Sequence, residues 1–236
     1  MKKSIFLLVF FSSIHLFSQA LTGSQLLEKT IQFHDPNNRW STFNGTLYVN
    51  MESPKRPMRT SVIKINLPQE YFYVSAKRDT ITTEYLVEKG NCSFTLNGKK
   101  ELSEEEQKTF NVNCDRANLY KNYYTYLYGL PMKLKDKGTV IHEKVKAKKF
   151  KGKDYLVLKV TYDENVGKDT WYFYFNPKTH AMEIYQFFKD ESKNDGEYIL
   201  LSGLEDINGI KMPKNRAWYY NNNDGYLGTD YLSSKQ

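Results

Sequence analysis

The chain has 236 residues, with 34 Lys or Arg against 27 Asp or Glu, and a formal net charge of +7 at neutral pH. The surplus is spread out except at Lys144–Lys153, where six lysines fall in ten residues. Such a run is typical of a solvated hairpin. Because no nucleic-acid-binding motif accompanies it, we exclude nucleic acid as an expected partner and assign the lysines, if they have a partner, to anionic lipid headgroups at a membrane surface.

The first 20 residues have the pattern of an export signal. Lys2 and Lys3 precede an apolar stretch interrupted at Ser12 and Ser13, and Ala20 ends a small-residue cleavage site. The stretch is shorter than the roughly 20 residues that a membrane-spanning helix needs. We predict cleavage of residues 1–20 after Ala20 and export to the periplasm or outer cell envelope. No cysteine lies near the site, so no lipid anchor is expected, and residues 21–236 suit a single domain.

The first predicted element is a helix. Thr22 and Gln25 fit a capping box at its start, and Asp35 begins the polar turn that ends it. His34 falls in the last turn, where the helix dipole favours a positive charge. We therefore assign His34 a structural role rather than a catalytic one.

From Phe43 onward the period of apolar residues changes from 3.6 to 2, which indicates strands. Asn97-Gly98 and Asn208-Gly209 each predict a tight hairpin. The roughly ten strands at hairpin spacing form either a sandwich or a strongly curved, barrel-like sheet. The fold class is mainly β (α+β), and the concave side of the sheet is the natural partner for the helices.

A helical insertion around residues 103–130 interrupts the strands. Ser103 and Glu106 form a second capping box, and Gly129 with Pro131 ends the second helical stretch. The insertion is unusually aromatic in a chain with 19 Tyr and 14 Phe. Helical spacing puts one set of residues on a common stripe, with Tyr126 pointing elsewhere. The stripe and its flanks are Leu119, Tyr120, Tyr123, Tyr124, Leu127 and Tyr128.

The sequence contains no recognisable catalytic pattern. His34, His142 and His180 are far apart, and neither a P-loop nor a Gly-x-Ser-x-Gly elbow occurs. We therefore expect no catalytic residue, no metal and no cofactor. Cys92 and Cys114 are either a disulfide or two buried thiols, and the sequence leaves both open.

Three segments resemble those of known exported proteins. "HDPNNRW" (34–40) and "YLYGLPMKLKDKG" (126–138) look like segments of an uncharacterised exported bacterial family. "INGIKMPKNRAWYY" (207–220) is similar to a hairpin and strand common in the lipoprotein-carrier (LolA/LolB-like) superfamily. The resemblance covers residues 21–236 and implies an unclosed β-barrel, a single curved antiparallel sheet whose hollow holds acyl chains under a helical lid.

These observations favour a non-enzymatic, monomeric cell-envelope protein that binds a lipid or lipoprotein acyl chain. Strand and helix periodicity suggest which side chains line the site. They are Leu47, Val49, Tyr120, Tyr123, Tyr124, Leu127, Leu130, Trp171, Phe173 and Phe175. Two alternatives are a structural or interaction module with a filled core, and glycan binding through an exposed Trp40, Trp171 or Trp218.

Overall fold

The computed structural model describes residues 21–235, so the predicted signal peptide and its cleavage site lie outside the described residues. The α-helices are α1 (Gly23–His34), α2 (Glu104–Phe110) and α3 (Cys114–Gly129). The first five strands are β1 (Asn44–Ser53), β2 (Arg56–Asn66), β3 (Tyr71–Arg78), β4 (Ile81–Glu88) and β5 (Asn91–Leu96). After the helical insertion come β6 (Thr139–Ile141), β7 (Lys146–Phe150), β8 (Lys153–Tyr162), β9 (Thr170–Phe175), β10 (Met182–Phe188), β11 (Glu197–Ile207), β12 (Ile210–Tyr220) and β13 (Tyr226–Ser233). No helix within residues 21–235 is long and apolar enough to cross a membrane.

The 13 strands of residues 21–235 belong to one antiparallel sheet. Its order is β5-β4-β3-β2-β1-β13-β12-β11-β10-β9-β8-β6, and β7 also pairs with β8. Pairing of β1 with β13 brings the first and last strands together in the middle of the sheet. No pairing within residues 21–235 joins the edges β5 and β6, so the barrel is not closed. The predicted curved, unclosed sheet with an N-terminal helix and a helical insertion is confirmed, and a sandwich is excluded.

The strand count exceeds the predicted ten because one very short strand and one polar strand lie at one edge. β6 has three residues, and β7 lies within the lysine run and is almost wholly exposed. Neither strand presents the apolar alternation that reveals a half-buried strand in a sequence. The lysines therefore do lie on a solvated hairpin, whose two arms are β7 and β8.

Helix α1 is attached to the sheet through His34. The predicted capping box between Thr22 and Gln25 is present, but His34 is fully buried instead of facing the helix dipole as a cation. Its Nε2 accepts a hydrogen bond from the Met182 backbone N–H at 3.0 Å, so Nδ1 carries the proton and donates to the Lys211 carbonyl at 2.6 Å. Burial lowers the pKa of His34 to about 4, and the nearby cations Lys211 and Arg216 also lower it. The expectation of a positively charged His34 is therefore wrong.

We expect the stability of the fold to decrease in weakly acidic solution because of His34. The unfolded histidine binds a proton near pH 6.5, whereas the folded one does so only near pH 4. The free energy of unfolding therefore falls as the pH drops from 6.5 towards 4, with a maximum loss of about 3 kcal/mol. Urea titrations across this range measure the loss, and H34Q should show a shallower slope. Equal slopes would contradict this account, because carboxylates contribute equally to both proteins.

The three segments that carry the family resemblance meet at one end of the sheet. The Asp35 carboxylate accepts the backbone N–H groups of Arg39 and Trp40, each at 2.8 Å. Trp40 packs so closely on Gly129 that a Cβ there would lie 2.3 Å from the indole. Arg39 donates to the carbonyl of Asn208 in the β11–β12 hairpin at 3.2 Å. The segments therefore hold the C-terminal end of α3 in place, and Gly129 is required for this close approach.

A disulfide holds the other end of α3. Cys92 of β5 and Cys114, the first residue of α3, are bonded with their Cα atoms 5.7 Å apart. The bond closes a loop with a sequence separation of 22 residues. Chain entropy gives such a loop about 3 kcal/mol of stabilisation.

We expect the double variant C92S/C114S to lose about 3 kcal/mol of unfolding free energy relative to the oxidised protein. Chemical denaturation of the variant and of the wild type with and without reductant measures this loss. The reduced wild type should match the variant. If the reductant leaves the wild-type midpoint unchanged while both thiols become titratable, the disulfide does not stabilise the fold.

Candidate ligand-binding face

Helix α3 lies across the concave face of the sheet. The side chain of Asn113 caps its first turn, accepting from the Arg116 backbone N–H at 2.8 Å. The buried face of the helix is formed by Ala117, Tyr124, Leu127 and Tyr128. Leu119, which helical spacing placed on the apolar stripe, is instead 53% exposed. The buried face is rotated away from Leu119 because α3 packs mainly on β3, β4 and β5.

On its other side α3 meets the sheet through aromatic rings. Tyr123 stacks on Trp218 of β12 with ring centroids 6.2 Å apart, and Tyr126 packs edge-on against Trp171 of β9 at 5.5 Å. The hydroxyl of Tyr126 also hydrogen-bonds that of Tyr162 in β8. We call Tyr123, Tyr126, Trp171 and Trp218 the aromatic seam. Tyr126, which helical spacing placed off the apolar stripe, therefore also contacts the sheet.

The proposed lining residues share one apolar cluster. Seven of them are fully buried, and the others are partly buried against the same cluster. The buried set is Leu47, Val49, Tyr124, Leu127, Leu130, Phe173 and Phe175, and the partly buried set is Tyr120, Tyr123 and Trp171. The rings of α3 therefore contact the sheet directly.

A row of charged side chains crosses the concave face beneath α3. Cross-strand pairing aligns Arg78 with Arg59, Arg59 with Met51, and Met51 with Asp230. Arg216 pairs with Asp230 on the other side. We call Arg78, Arg59, Asp230 and Arg216 the charged row. Its members are far apart in sequence, and sequence reasoning assigned none of them to the site.

Two arginines of the charged row hold tyrosines of α3. Arg59 donates to the Tyr124 hydroxyl at 3.1 Å. The Arg216 guanidinium lies 4.0 Å from the ring centroid of Tyr128 and donates to the Pro213 carbonyl at 2.8 Å. Burial raises the pKa of Tyr124 to about 12, with Arg59 opposing the shift. The tyrosines are therefore neutral and the helix is docked by polar as well as apolar contacts.

Asp230 is the buried carboxylate of the charged row. Burial raises its pKa, and Arg59 and Arg216 act in the opposite direction. Within residues 21–235, its Oδ1 and the Nε of Arg216 lack hydrogen-bond partners. Strand alternation could have placed Arg59 on the buried face, since Arg59 is in phase with the buried Ser61 and Ile63 of the same strand, but it does not show which residues of other strands lie beside Arg59.

An open pocket lies at the end of the aromatic seam. It encloses about 470 Å³. Its apolar walls include Met51, Tyr123, Trp218 and Leu227, and its charged walls are Arg56, Arg59, Arg78 and Glu197. We call it the arginine pocket. Its volume lies within the roughly 300–1,000 Å³ of small-molecule sites.

A metal site and a glycan site have less support on this face than an apolar ligand. Among residues 21–235 no group of three or more His, Cys, Asp or Glu side chains is placed to hold a metal ion. Trp40 is buried, and Trp171 and Trp218 are partly buried within the aromatic seam. A glycan site needs an exposed, planar indole platform, which none of these side chains provides in this conformation.

The chain is similar over nearly its whole length to solved structures with the same architecture. A LolA superfamily protein from Nitrosomonas europaea is 13% identical with a TM-score of 0.52, and the match covers 91% of this chain and 92% of that one. A DUF1329 family protein from Desulfovibrio piger ATCC 29098 is 12% identical with a TM-score of 0.50, covering 89% and 90% of the two chains. At these identities the similarity shows a shared LolA-like fold alone.

No curated protein matches the sequence. The model of one family, described as a family of unknown function (DUF6503), matches residues 2–234. The chain therefore belongs to the DUF6503 family, whose member described here has the LolA-like fold.

Proposed function

We propose that the protein binds a lipid or the acyl chain of a lipoprotein between the concave face of its sheet and α3. The observation that carries the proposal is the aromatic seam, where α3 meets the sheet through Tyr123, Tyr126 and their ring partners. Ring faces and acyl chains are chemically compatible, and each buried methylene contributes about 0.8 kcal/mol. The LolA-like fold and the sequence of residues 1–20 support an exported carrier or binding protein of the cell envelope, without a catalytic role.

The two sides of α3 suggest how the ligand reaches the concave face. On one side the Cys92–Cys114 bond ties the helix to β5. On the other side the contacts across the seam are ring contacts and one tyrosine–tyrosine hydrogen bond. Because Leu127 and Phe173 are buried in the same cluster, an acyl chain needs α3 to move off the sheet. Opening along the aromatic seam, with the disulfide side held, also breaks the contacts of Tyr124 with Arg59 and of Tyr128 with Arg216, and it exposes the proposed lining.

Lipid analysis tests this function directly. The protein purified from a bacterial envelope should release a lipid into organic solvent, detected by mass spectrometry, and the emptied protein should bind a fluorescent fatty-acyl probe. Unlabelled fatty acid should displace the probe. F173A, within the proposed site, should weaken probe binding, whereas L119A on the exposed face of α3 should not. Absence of both extracted lipid and displaceable probe would refute the proposed function.

A further inference from the structure

The arginine pocket contains more positive charge than its protein surroundings neutralise. Arg56, Arg59 and Arg78 lie on its wall, and Glu197 is the one carboxylate there. Within residues 21–235, no carboxylate oxygen lies within 4.0 Å of these guanidinium nitrogens. The buried Asp230 faces Arg59 and Arg216, so Arg56 and Arg78 have no corresponding anion.

The pairing of β2 and β3 brings two of these charges together. Arg59 and Arg78 are direct cross-strand partners. Like charges at such positions destabilise a sheet. Burial lowers the pKa of Arg78, and Arg59 and Arg56 lower it further, as expected for neighbouring like charges. An anion between the guanidinium groups would remove this repulsion.

Hydrogen-bond donors in and beside the pocket also lack acceptors. Arg59 Nε and Arg78 Nη1 are buried without a hydrogen-bond partner in the described part of the chain. Buried polar groups are normally hydrogen-bonded. Guanidinium groups match the geometry of phosphate and carboxylate oxygens, to which they donate pairs of hydrogen bonds. The unused donors therefore favour an oxyanion.

The remaining walls fit an apolar chain attached to that anion. Met51, Leu227 and the rings of Tyr123 and Trp218 line the same pocket. Tyr123 and Trp218 also belong to the aromatic seam. A ligand with its charged end at the arginines can thus continue along the seam towards the space beneath α3.

We propose that the arginine pocket binds the oxyanion of an anionic amphiphile, a phosphate or carboxylate carried on an acyl or alkyl chain. The proposal rests on the proposed function, because the chain is taken to lie between α3 and the sheet. It adds that the ligand is anionic and that Arg56 and Arg78 select its charge. Phosphate and carboxylate head groups both offer the arginines a net negative charge. Neutral and zwitterionic head groups have no net negative charge to offer.

Calorimetric titration of the purified protein with three probes tests the proposal. The probes are decyl phosphate, decyl maltoside with the same chain but a neutral head, and inorganic phosphate, all below micelle-forming concentrations. We expect decyl phosphate to bind at least tenfold more tightly than either of the others. Raising the salt concentration should weaken decyl phosphate binding and leave decyl maltoside binding largely unaffected. These titrations use the wild-type protein, so their outcome does not depend on whether a variant folds.

A charge-matched pair of variants locates the effect. R56Q/R78Q should bring the affinity ratio of decyl phosphate to decyl maltoside close to one. K55Q/K77Q removes the same number of charges one residue away, from side chains outside the pocket wall, and should keep the wild-type ratio. Equal wild-type affinities for the two amphiphiles, or a ratio unchanged in R56Q/R78Q, would overturn the anionic-head proposal alone. No binding of either amphiphile would overturn the proposed function, and inorganic phosphate binding as tightly as decyl phosphate would make the pocket a site for a free anion.

Discussion

Replacing Arg216 with alanine is expected to lower the free energy of unfolding by about 3–5 kcal/mol. Arg216 is among the largest fully buried side chains of the protein. The substitution removes its packing on Tyr128, its hydrogen bond to the Pro213 carbonyl and the cation opposite Asp230. Removing one charge from a buried cluster is costly because the other is left without compensation. Urea denaturation at neutral pH measures the loss.

Two further variants separate packing from charge. R216M keeps most of the volume and removes the charge, so it should be more stable than R216A. Adding D230N to R216M removes the uncompensated carboxylate and should recover about 1–3 kcal/mol, the desolvation penalty of an unpaired buried group. The recovery should exceed the effect of D230N in the wild-type background. Purely additive effects would show that Arg216 and Asp230 do not interact energetically.

Replacing Tyr124 with alanine is expected to cost about 3–5 kcal/mol through the cavity it leaves. Tyr124 has no exposed surface, and its ring packs against Phe72, Tyr120, Tyr123 and Tyr128. Y124F keeps the ring and removes the hydroxyl that accepts from Arg59, so it should lose about 1–3 kcal/mol. L119A alters the 53% exposed side chain on the opposite face of α3 and should change stability by less than about 0.5 kcal/mol.

The Y124A variant also distinguishes a ligand-binding face from a filled core. The cavity in Y124A lies beneath α3, where the proposed acyl chain binds. Decyl phosphate should therefore raise the melting temperature of Y124A by more than that of the wild type. A structural module with a filled core would melt at the same temperature with and without the amphiphile in both proteins. That result would favour the alternative of an interaction module.

Much of the architecture could be predicted because it depends on local signals. Capping residues at Thr22 and Ser103 mark helix starts that the structure reproduces, each with a complete capping box. The hairpin at Asn208-Gly209 joins β11 and β12, as the preference for Asn-Gly in two-residue hairpin turns predicts. The edge strands β6 and β7 were harder to recognise, because β6 has only three residues and the exposed, polar β7 lacks an apolar period.

The candidate site was predicted only in its apolar part. The periodicity of Leu47, Phe173 and Tyr124 identified side chains that face the concave side and are buried there. The charged row depends on register across β3, β2, β1, β13 and β12, a long-range property that no local pattern encodes. The neutral state of His34 likewise depends on acceptor and donor groups from distant strands.

The most direct test of the central claim is fluorescence quenching by a fatty acid brominated along its chain. Bromine quenches an indole only at short range, so it reports which tryptophan the chain contacts. Trp171 and Trp218 lie in the aromatic seam, whereas Trp40 stacks on Phe43 at the Gly129 end of α3. Variants that each retain one tryptophan, with phenylalanine at the other two positions, separate the three signals. We predict strong quenching of Trp218 and Trp171 and little quenching of Trp40. No quenching, or quenching of Trp40 alone, would show that the acyl chain does not lie along the seam between α3 and the sheet.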